Sequence, residues 1–306
     1  MAEGDHPLRS TGSSRSSKRD RPRQSDGSGL AAVGVEGNHI VESTATAIHR
    51  EGITFDTKTD IVADHGADNS GDSPIDDALM EAMADRTLIT FPAGEYKIGQ
   101  EVVSGNYSTL GFTGEGDVTL VPPQGFNNRL LNLYDVDEVL FEAIDIDLTA
   151  EDTTAGLRFD TNDGFVIQDV EYLGRGMHSD DTWTVNGFYL IVTNPEGNGL
   201  LRNVTAVKGS ALGRFKAGNG RVGVWIGGDN QGTICIDNCQ FEEFGNNACY
   251  TSKTPGNVHI IDSVFRNNNI SSVRIGAKGS YVDNSVIDVD LSKYTGPVDG
   301  MDTDCN

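Results

Sequence analysis

The feature that most constrains this sequence is a six-residue pattern that occurs six times from residue 141 onward. Each copy reads apolar, variable, Asp/Asn or small, small or β-branched, variable, apolar. Successive copies start 26, 34, 35, 24 and 22 residues apart, at Phe141, Ile167, Leu201, Ile236, Ile260 and Val282. No helix-length periodic segment lies between them. A period of roughly 20 to 35 residues that contains only short strands and turns is typical of a stacked all-β solenoid.

The third position of the pattern predicts how each coil bends. Asp and Asn side chains bond neighbouring backbone groups and tolerate unusual dihedral angles. We therefore expect the third-position residues to stack as a ladder at a bend: Ala143, Asp169, Asn203, Asn238, Asp262 and Asn284. A β-sandwich, the main alternative, needs tight hairpins that are mostly missing. The predicted fold is an all-β, right-handed, single-stranded parallel β-helix of about six to seven coils.

The rest of the chain divides by composition. Residues 1–50 read as a tail whose first 30 residues are rich in Ser, Arg, Asp and Gly, which predicts disorder. Residues 51–110 read as an N-terminal cap with a short helix over 74–84, with Ser73 as N-cap and Pro74 at the first helical position. Residues 111–306 form the predicted β-helix. No closing cap is evident after its last coil, so three alternatives stay open at that end: truncation, a partner that covers it, or a poor cap formed by Val298 to Cys305.

Residues 60–98 resemble the N-terminal cap of pectate-lyase-like right-handed β-helix proteins. The matching motifs are Asp64 to Ala67, Asp76 to Leu79, and Phe91 to Tyr96. Asp and Glu together outnumber Lys and Arg by 46 to 23, and with this acid excess the chain is similar to β-helix proteins common in haloarchaea. The resemblance covers about residues 55–306. It implies the fold and an extracellular or cell-surface location, although no clear signal peptide is visible. It does not imply one activity, because this superfamily holds lyases, hydrolases, epimerases and adhesins.

A row of outward-facing residues indicates a binding surface. Each patterned segment follows a second short strand with apolar residues at alternate positions, which points the intervening residues outward. The predicted row is Asn132, Arg158, Tyr189, Trp225, Cys249 and Arg274. Aromatic faces stack on sugar rings, and arginine pairs with carboxylates. We therefore assign Arg158, Tyr189, Trp225 and Arg274 to binding of an extended, uronate-type glycan. The alternative is that neighbouring loops cover Tyr189 and Trp225.

Two insertions, at 173–186 and 207–222, are predicted to project beside this row. The first supplies Arg175 and Trp183 as further substrate-binding candidates, and His178, Asp180 and Asp181 as catalytic candidates. The second supplies Arg214 and Lys216. A lyase needs a base and a cation beside the developing carbanion. His178, Arg214 or Lys216 could be the base, and Asp180 with Asp181 could bind Ca²⁺.

Three functional alternatives stay open. A hydrolase would need two carboxylates, for which Asp160 with Asp180 or Asp181 is the candidate set. Elimination is favoured over hydrolysis. A non-enzymatic glycan-binding or surface-structural β-helix is the second alternative, and a degenerate, inactive relative is the third. Solvated acidic pairs and structural loop histidines are common, which weakens any catalytic assignment.

The amino-acid composition argues against two classes of partner, nucleic acids and membranes. The chain has 46 Asp and Glu against 23 Lys and Arg, a formal net charge of -23. So negative a surface repels phosphate backbones, and no apolar run is long enough to span a membrane, so neither nucleic acid nor a membrane span is expected. The acid excess favours a high-salt environment, where screening removes its self-repulsion. The four cysteines suggest neither a disulfide scaffold nor zinc, and Cys239 reads as a small buried thiol.

Overall fold

The structure, a computed structural model, describes residues 47–179, 183–212 and 220–297. The predicted tail therefore lies outside the described residues up to position 46. Helix α1 spans Asp76–Ala82. In chain order the strands are β1 (Ile48–Arg50), β2 (Ile53–Phe55), β3 (Thr57–Asp60), β4 (Ser70–Pro74), β5 (Thr87–Lys97), β6 (Val102–Val121), β7 (Asn127–Glu142), β8 (Asp145–Leu148), β9 (Thr154–Gly174), β10 (Phe188–Val192), β11 (Asn198–Ala206), β12 (Val224–Ile226), β13 (Thr233–Asp237), β14 (Gln240–Glu242), β15 (Cys249–Thr251), β16 (Val258–Ile261), β17 (Val264–Arg266), β18 (Val273–Ile275), β19 (Tyr281–Asp283) and β20 (Val286–Asp288).

Strands β3 to β20 pair in parallel from one coil to the next and form three long sheets. Sheet A contains 102–105, 131–134 and 157–161, followed by β10, β12, β15 and β18. Sheet B contains β3, then 87–92, 109–113, 138–142, 164–168 and 198–202, then β13, β16 and β19. Sheet C runs from β4 to β20 on the third side. The predicted parallel β-helix is confirmed.

The solenoid has about nine turns, more than the six to seven that the repeat predicts. The first copy of the repeat begins at Phe141, but sheet B already contains strands at 57–60, 87–92 and 109–113. These early coils turn without an Asp/Asn residue at the bend. Gly114 takes this place beside Ala143, and a β-carbon on it would lie 2.0 Å from the Ala143 carbonyl oxygen. The early coils therefore lack the six-residue pattern, and the repeat underestimates the number of coils.

The core is a continuous stack of inward side chains. On sheet B, successive coils place similar apolar groups in register: Ile89, Phe112, Phe141, Ile167, Leu201, Ile236 and Ile260, all buried. Each strand is too short to bury a face on its own, so every coil depends on the coils above and below it. Val282 and Ile287 of the last described coil are 38% and 56% exposed, because no further described coil covers them.

The predicted ladder is present at the bend between sheets B and C. All six third-position residues have positive φ, between 45° and 55°. Asn203 donates from Nδ2 to Asp169 Oδ1 at 3.0 Å, and Asn238 donates to Asn203 Oδ1 at 2.7 Å. Asn284 donates in the same way to Asp262. Asn and Asp favour this position because they adopt the left-handed conformation more readily than other side-chain-bearing residues.

Helix α1 starts two residues later than predicted, and Ser73 does not cap it. Ile75 is the N-cap residue, and no side chain bonds the first turn. Ser73 and Pro74 belong instead to strand β4, where Pro74 lies opposite Lys97 of β5. Parallel pairing keeps both residues extended. The helix packs Leu79 and Ala82 onto the core.

A hairpin of β1 and β2 covers the outer face of sheet B in the early coils. Ile53 and Phe55 pack there against Leu88 and Leu140 and form a small second core. Gly111 makes this approach possible, because a β-carbon on it would lie 2.8 Å from the Phe55 ring. Arg50 fixes the hairpin through a 2.5 Å bond from Nε to the buried Glu142 carboxylate. None of the described helices is long and apolar enough to cross a membrane.

Candidate functional site

The outer face of sheet A carries a straight row of large side chains, here called the sheet A row: Arg158, Tyr189, Trp225, Tyr250 and Arg274. Strand register places each residue opposite the next across neighbouring coils. The four spacings of about 4.8 Å give the row a length of about 19 Å. The three aromatic side chains are half-buried and Arg274 is exposed. The row is therefore accessible along its length.

The members of the row stack on one another along the solenoid axis. Arg158 Cζ lies 4.7 Å from the centre of the Tyr189 ring, which is stacked on Trp225 at 6.4 Å and 16°. Trp225 and Tyr250 are 4.7 Å apart at 34°, and Arg274 Cζ lies 5.0 Å from the Tyr250 ring. The ring faces thus pack against neighbours rather than being open to sugar rings. The ring edges form the accessible surface.

Those edges carry polar atoms without partners. Within the described part of the chain, no hydrogen bond engages Tyr189 Oη, Trp225 Nε1 or Tyr250 Oη. Burial raises the pKa of Tyr189, and nearby Asp160 adds to the rise, so its hydroxyl stays protonated at neutral pH. The row therefore presents three neutral hydrogen-bond donors in a line.

The two arginines at the ends of the row differ. Arg158 binds Asp160 with both Nε and Nη2, the latter at 2.5 Å from Oδ2, and this hydrogen bond raises the pKa of Arg158. The catalytic candidate Asp160 is thus held in an ion pair beside the row. Arg274 makes no ion pair with any described carboxylate. It is the end of the row that can accept an anionic group.

Cys249 is not in the row, contrary to the sequence-based prediction. Its side chain is fully buried, and Tyr250 takes the outward place between Trp225 and Arg274. Ala248 and Cys249 are both small enough to fit inside, so apolar alternation did not distinguish the two registers in this coil. Aligning Tyr250 with Trp225 as aromatic neighbours would have found it. Asn132 does lie in register with Arg158, as predicted.

The two insertions meet at one corner of the solenoid. Gly176 N donates to Gly209 O at 3.2 Å, and Arg175 Nη1 donates to Ser210 O at 2.7 Å. Arg175 also pairs with Glu243, which bonds Thr295 of the C-terminal segment. The Arg175 side chain is 13% exposed. Its guanidinium is committed to contacts within the protein, so Arg175 is not part of the surface described above.

His178 and Trp183 lie on the same corner. His178 Nδ1 is 3.3 Å from the amide nitrogen of Asn127, and its Nε2 is 3.9 Å from Asp152. The Trp183 carbonyl accepts a hydrogen bond from Asn127, and its side chain is 46% exposed. These contacts of His178 are with Asn127 and Asp152, whereas Asp160 pairs with Arg158. Trp183 has an exposed ring that can take part in binding.

Four candidates lie outside the described residues: Asp180, Asp181, Arg214 and Lys216. The proposed Ca²⁺ ligands Asp180 and Asp181 are among them. The described residues contain no cluster of three or more His, Cys, Asp or Glu side chains that could hold a metal ion.

Comparison with known proteins gives no family. No protein-family model matches the sequence, and no curated protein matches it. Among solved structures, the chain is similar to a protein described as ORF18 of Geobacillus virus E2, with 12% identity and a TM-score of 0.27. The match covers 76% of this chain and 61% of that one. So distant a similarity carries no conclusion about function.

Proposed function

We propose that this protein binds an extended acidic glycan of the uronate type along the sheet A row. The observation that carries the proposal is the line of three polar ring edges that ends at Arg274, all without hydrogen-bond or ion-pair partners among the described residues. Sugar hydroxyls can accept hydrogen bonds from the ring edges, and a uronate carboxylate can pair with the guanidinium. The straight row suits an extended chain rather than a compact ligand.

The charges around the row favour one orientation of the ligand. At the Tyr189 end, the positive charge of Arg158 is already balanced by its ion pair with Asp160. Arg274, at the other end, is free of carboxylate partners among the described residues. We expect the carboxylate contact at the Tyr250 and Arg274 end, with hydroxyl contacts toward Tyr189.

The proposal concerns binding, and the lyase-type reaction is tested beside it. The lyase-type reaction favoured by the sequence needs a base near the bound uronate, and three of its candidate groups, Arg214, Lys216 and the Asp180–Asp181 pair, lie outside the described residues. Asp160, the described acidic candidate, is paired with Arg158. Elimination therefore enters as an outcome of the test below.

The test is calorimetric titration of the full chain with oligogalacturonate, oligoalginate and a neutral xylan-type oligomer. We expect saturable binding of a uronate and weaker binding of the neutral sugar. Arg274→Gln should weaken uronate binding about tenfold or more, because it removes a charge-assisted hydrogen bond. Trp225→Phe should weaken binding roughly two- to tenfold, because it keeps the stack and removes one neutral donor.

The matched control is Arg202→Gln, since Arg202 lies on sheet B, where it pairs with Asp237 at 3.2 Å. This control should bind like the wild type. Unsaturated product, followed by ultraviolet absorbance in the same mixtures, would add elimination to the proposed function. The proposal is wrong if no uronate binds, or if Arg274→Gln and Arg202→Gln have equal effects.

A further inference from the structure

A buried arginine lies near the corner formed by the two insertions, apart from the sheet A row. Arg221 is 2% exposed. Its Nη2 donates to Ala155 O at 2.6 Å, and its Nη1 donates to Gly209 O at 3.3 Å. Its Nε is buried and has no hydrogen-bond partner within the described part of the chain. Two carbonyls therefore satisfy the guanidinium only in part.

Arg221 carries a charge that no described carboxylate balances. Burial lowers its pKa to about 10, which leaves it protonated at neutral pH. The rings of Tyr172 and Phe244 lie 5.4 and 5.9 Å from its Cζ, and their cation–π attraction offsets part of the free-energy cost of burying the charge. Glu243, the acidic residue next to Phe244, is engaged by Arg175 and Thr295. Burying a charge without a counter-charge lowers the stability of the fold, so an anion bound beside Arg221 would stabilise it.

Arg221 borders a small cavity of about 10 Å³. No acidic side chain lines it, although the chain has twice as many acidic as basic residues. The exposed Lys208 is a second cation in its wall, and the remaining walls are glycines and apolar or aromatic side chains. This volume suits one small occupant and excludes a phosphate or a sugar.

A second unpartnered polar atom lies beside the guanidinium. Thr154 Oγ1 is buried and has no hydrogen-bond partner among the described residues. A β-carbon on Gly176 would lie 1.7 Å from Arg221 Nη1 and 3.0 Å from Thr154 Oγ1, so glycine at this position leaves the room that the guanidinium occupies beside this hydroxyl. The cavity lining itself includes Arg221 and Lys208 but not Thr154.

We propose that this cavity binds one monovalent anion of the size of chloride, with Arg221 as its counter-charge. Nε–H of Arg221 supplies the donor, and Lys208 raises the local positive potential. The anion would lie at the corner where both insertions contact the coils. Because it would bind the folded chain and not the unfolded chain, it would stabilise the fold.

The direct test is a crystal of the full chain grown in sodium bromide, with data collected at the bromine absorption edge. We expect an anomalous peak within contact distance of Arg221 Nε. In solution, the melting temperature should rise by a few degrees for each tenfold increase in chloride, relative to gluconate at equal ionic strength. The bulky gluconate supplies the same screening but cannot enter the cavity.

Substitutions distinguish anion binding at this site from general screening of the protein's charges by salt. Lys208→Gln removes the second cation in the cavity wall, so it should reduce the difference between chloride and gluconate. Arg221→Met should abolish the difference, while Arg202→Gln should leave it unchanged. Should Arg221→Met fail to fold, the bromide peak and Lys208→Gln decide. A water in place of bromide at Arg221, or equal melting temperatures of the wild type in chloride and gluconate, would overturn the proposal.

Discussion

At the residue scale, the bend between sheets B and C depends on residues that accept positive φ. Asn203 is the most connected of them, because it donates to Asp169 and accepts from Asn238. Asn203→Ala should lower the free energy of unfolding by about 1–3 kcal/mol, since it removes two amide hydrogen bonds and places alanine in the left-handed region. Asn203→Gly should cost less because glycine adopts this φ freely. Urea unfolding of the two variants measures the difference, and equal losses would contradict this reading of the bend.

Ala143 offers the reverse experiment. It occupies the same bend with φ 54° and lacks a side chain that could bond the ladder. Ala143→Asn should raise the free energy of unfolding by up to about 1 kcal/mol, because it adds a donor next to Asp169 and relieves an unfavourable alanine conformation. Urea unfolding is again the measurement. A destabilised Ala143→Asn would show that the ladder adds nothing at this coil.

The ladder could be predicted from sequence because the same chemistry recurs at the same place in the pattern. A second bend could not. Glu243 and Asn267 also have positive φ, 60° and 52°, and lie in neighbouring coils. Glutamate has no intrinsic preference for this conformation, so its place is fixed by tertiary contacts, among them its pairing with Arg175. Local sequence does not encode such a position.

At the element scale, the β1–β2 hairpin is an addition to the solenoid rather than a part of its coils. Phe55 is fully buried against Leu88 and Leu140, which face outward from sheet B. Phe55→Ala should remove roughly 3–5 kcal/mol of packing at this site. Because two strands alone are marginally stable, the hairpin should detach while the coils stay folded.

Hydrogen–deuterium exchange measures that outcome. The variant should lose amide protection in β1 and β2, with protection in β9 to β17 unchanged. His49→Ala, in the exposed part of the same hairpin, is the matched control and should leave protection intact. Equal loss of protection throughout the coils of Phe55→Ala would show that the hairpin is integral to the solenoid.

Strand pairing also shows where sequence patterns stop being informative. The row on sheet A could be predicted wherever large polar or aromatic residues alternate with apolar ones, as at Arg158, Tyr189 and Trp225. At 248–250 the alternation predicts the wrong outward residue, Cys249 in place of Tyr250. Two small residues precede the tyrosine there, so either choice of the inward-facing residues buries an acceptable side chain. The stacking of the rings on one another, which closes their faces, depends on coil-to-coil contacts that no single strand contains.

At the scale of the whole molecule, the net charge of -23 should make stability depend on salt. Self-repulsion of dense carboxylates falls as screening increases. We expect the melting temperature to rise between 0.1 and 2 M sodium gluconate, a salt that separates this effect from the anion site proposed above. A flat or falling melting temperature would count against a high-salt environment for this protein.

Alkaline pH should destabilise the fold through its buried acids. Burial raises the pKa of Cys239 and of Cys249 from 9.0 to about 12, and that of Tyr96 from 10.0 to about 12. Between about pH 9 and 12 the unfolded chain therefore binds fewer protons than the folded one, and stability falls as pH rises through this window. Below about pH 7 these groups are protonated in both states and add no slope.

Thermal unfolding at intervals from pH 8 to 11 measures this slope. Cys249→Ala should have a shallower decline than the wild type, whatever its absolute stability, because one of the titrating groups is gone. An unchanged slope would show that Cys249 is not shielded from solvent as its position inside sheet A requires.

The central claim is that the sheet A row holds an acidic glycan, and a crystal structure of the chain with a bound oligogalacturonate tests it most directly. The account predicts an extended ligand along sheet A, with a carboxylate on Arg274 and hydroxyls on the edges of Trp225 and Tyr250. Ligand bound away from the row, or a bare row at saturating oligomer, would contradict it.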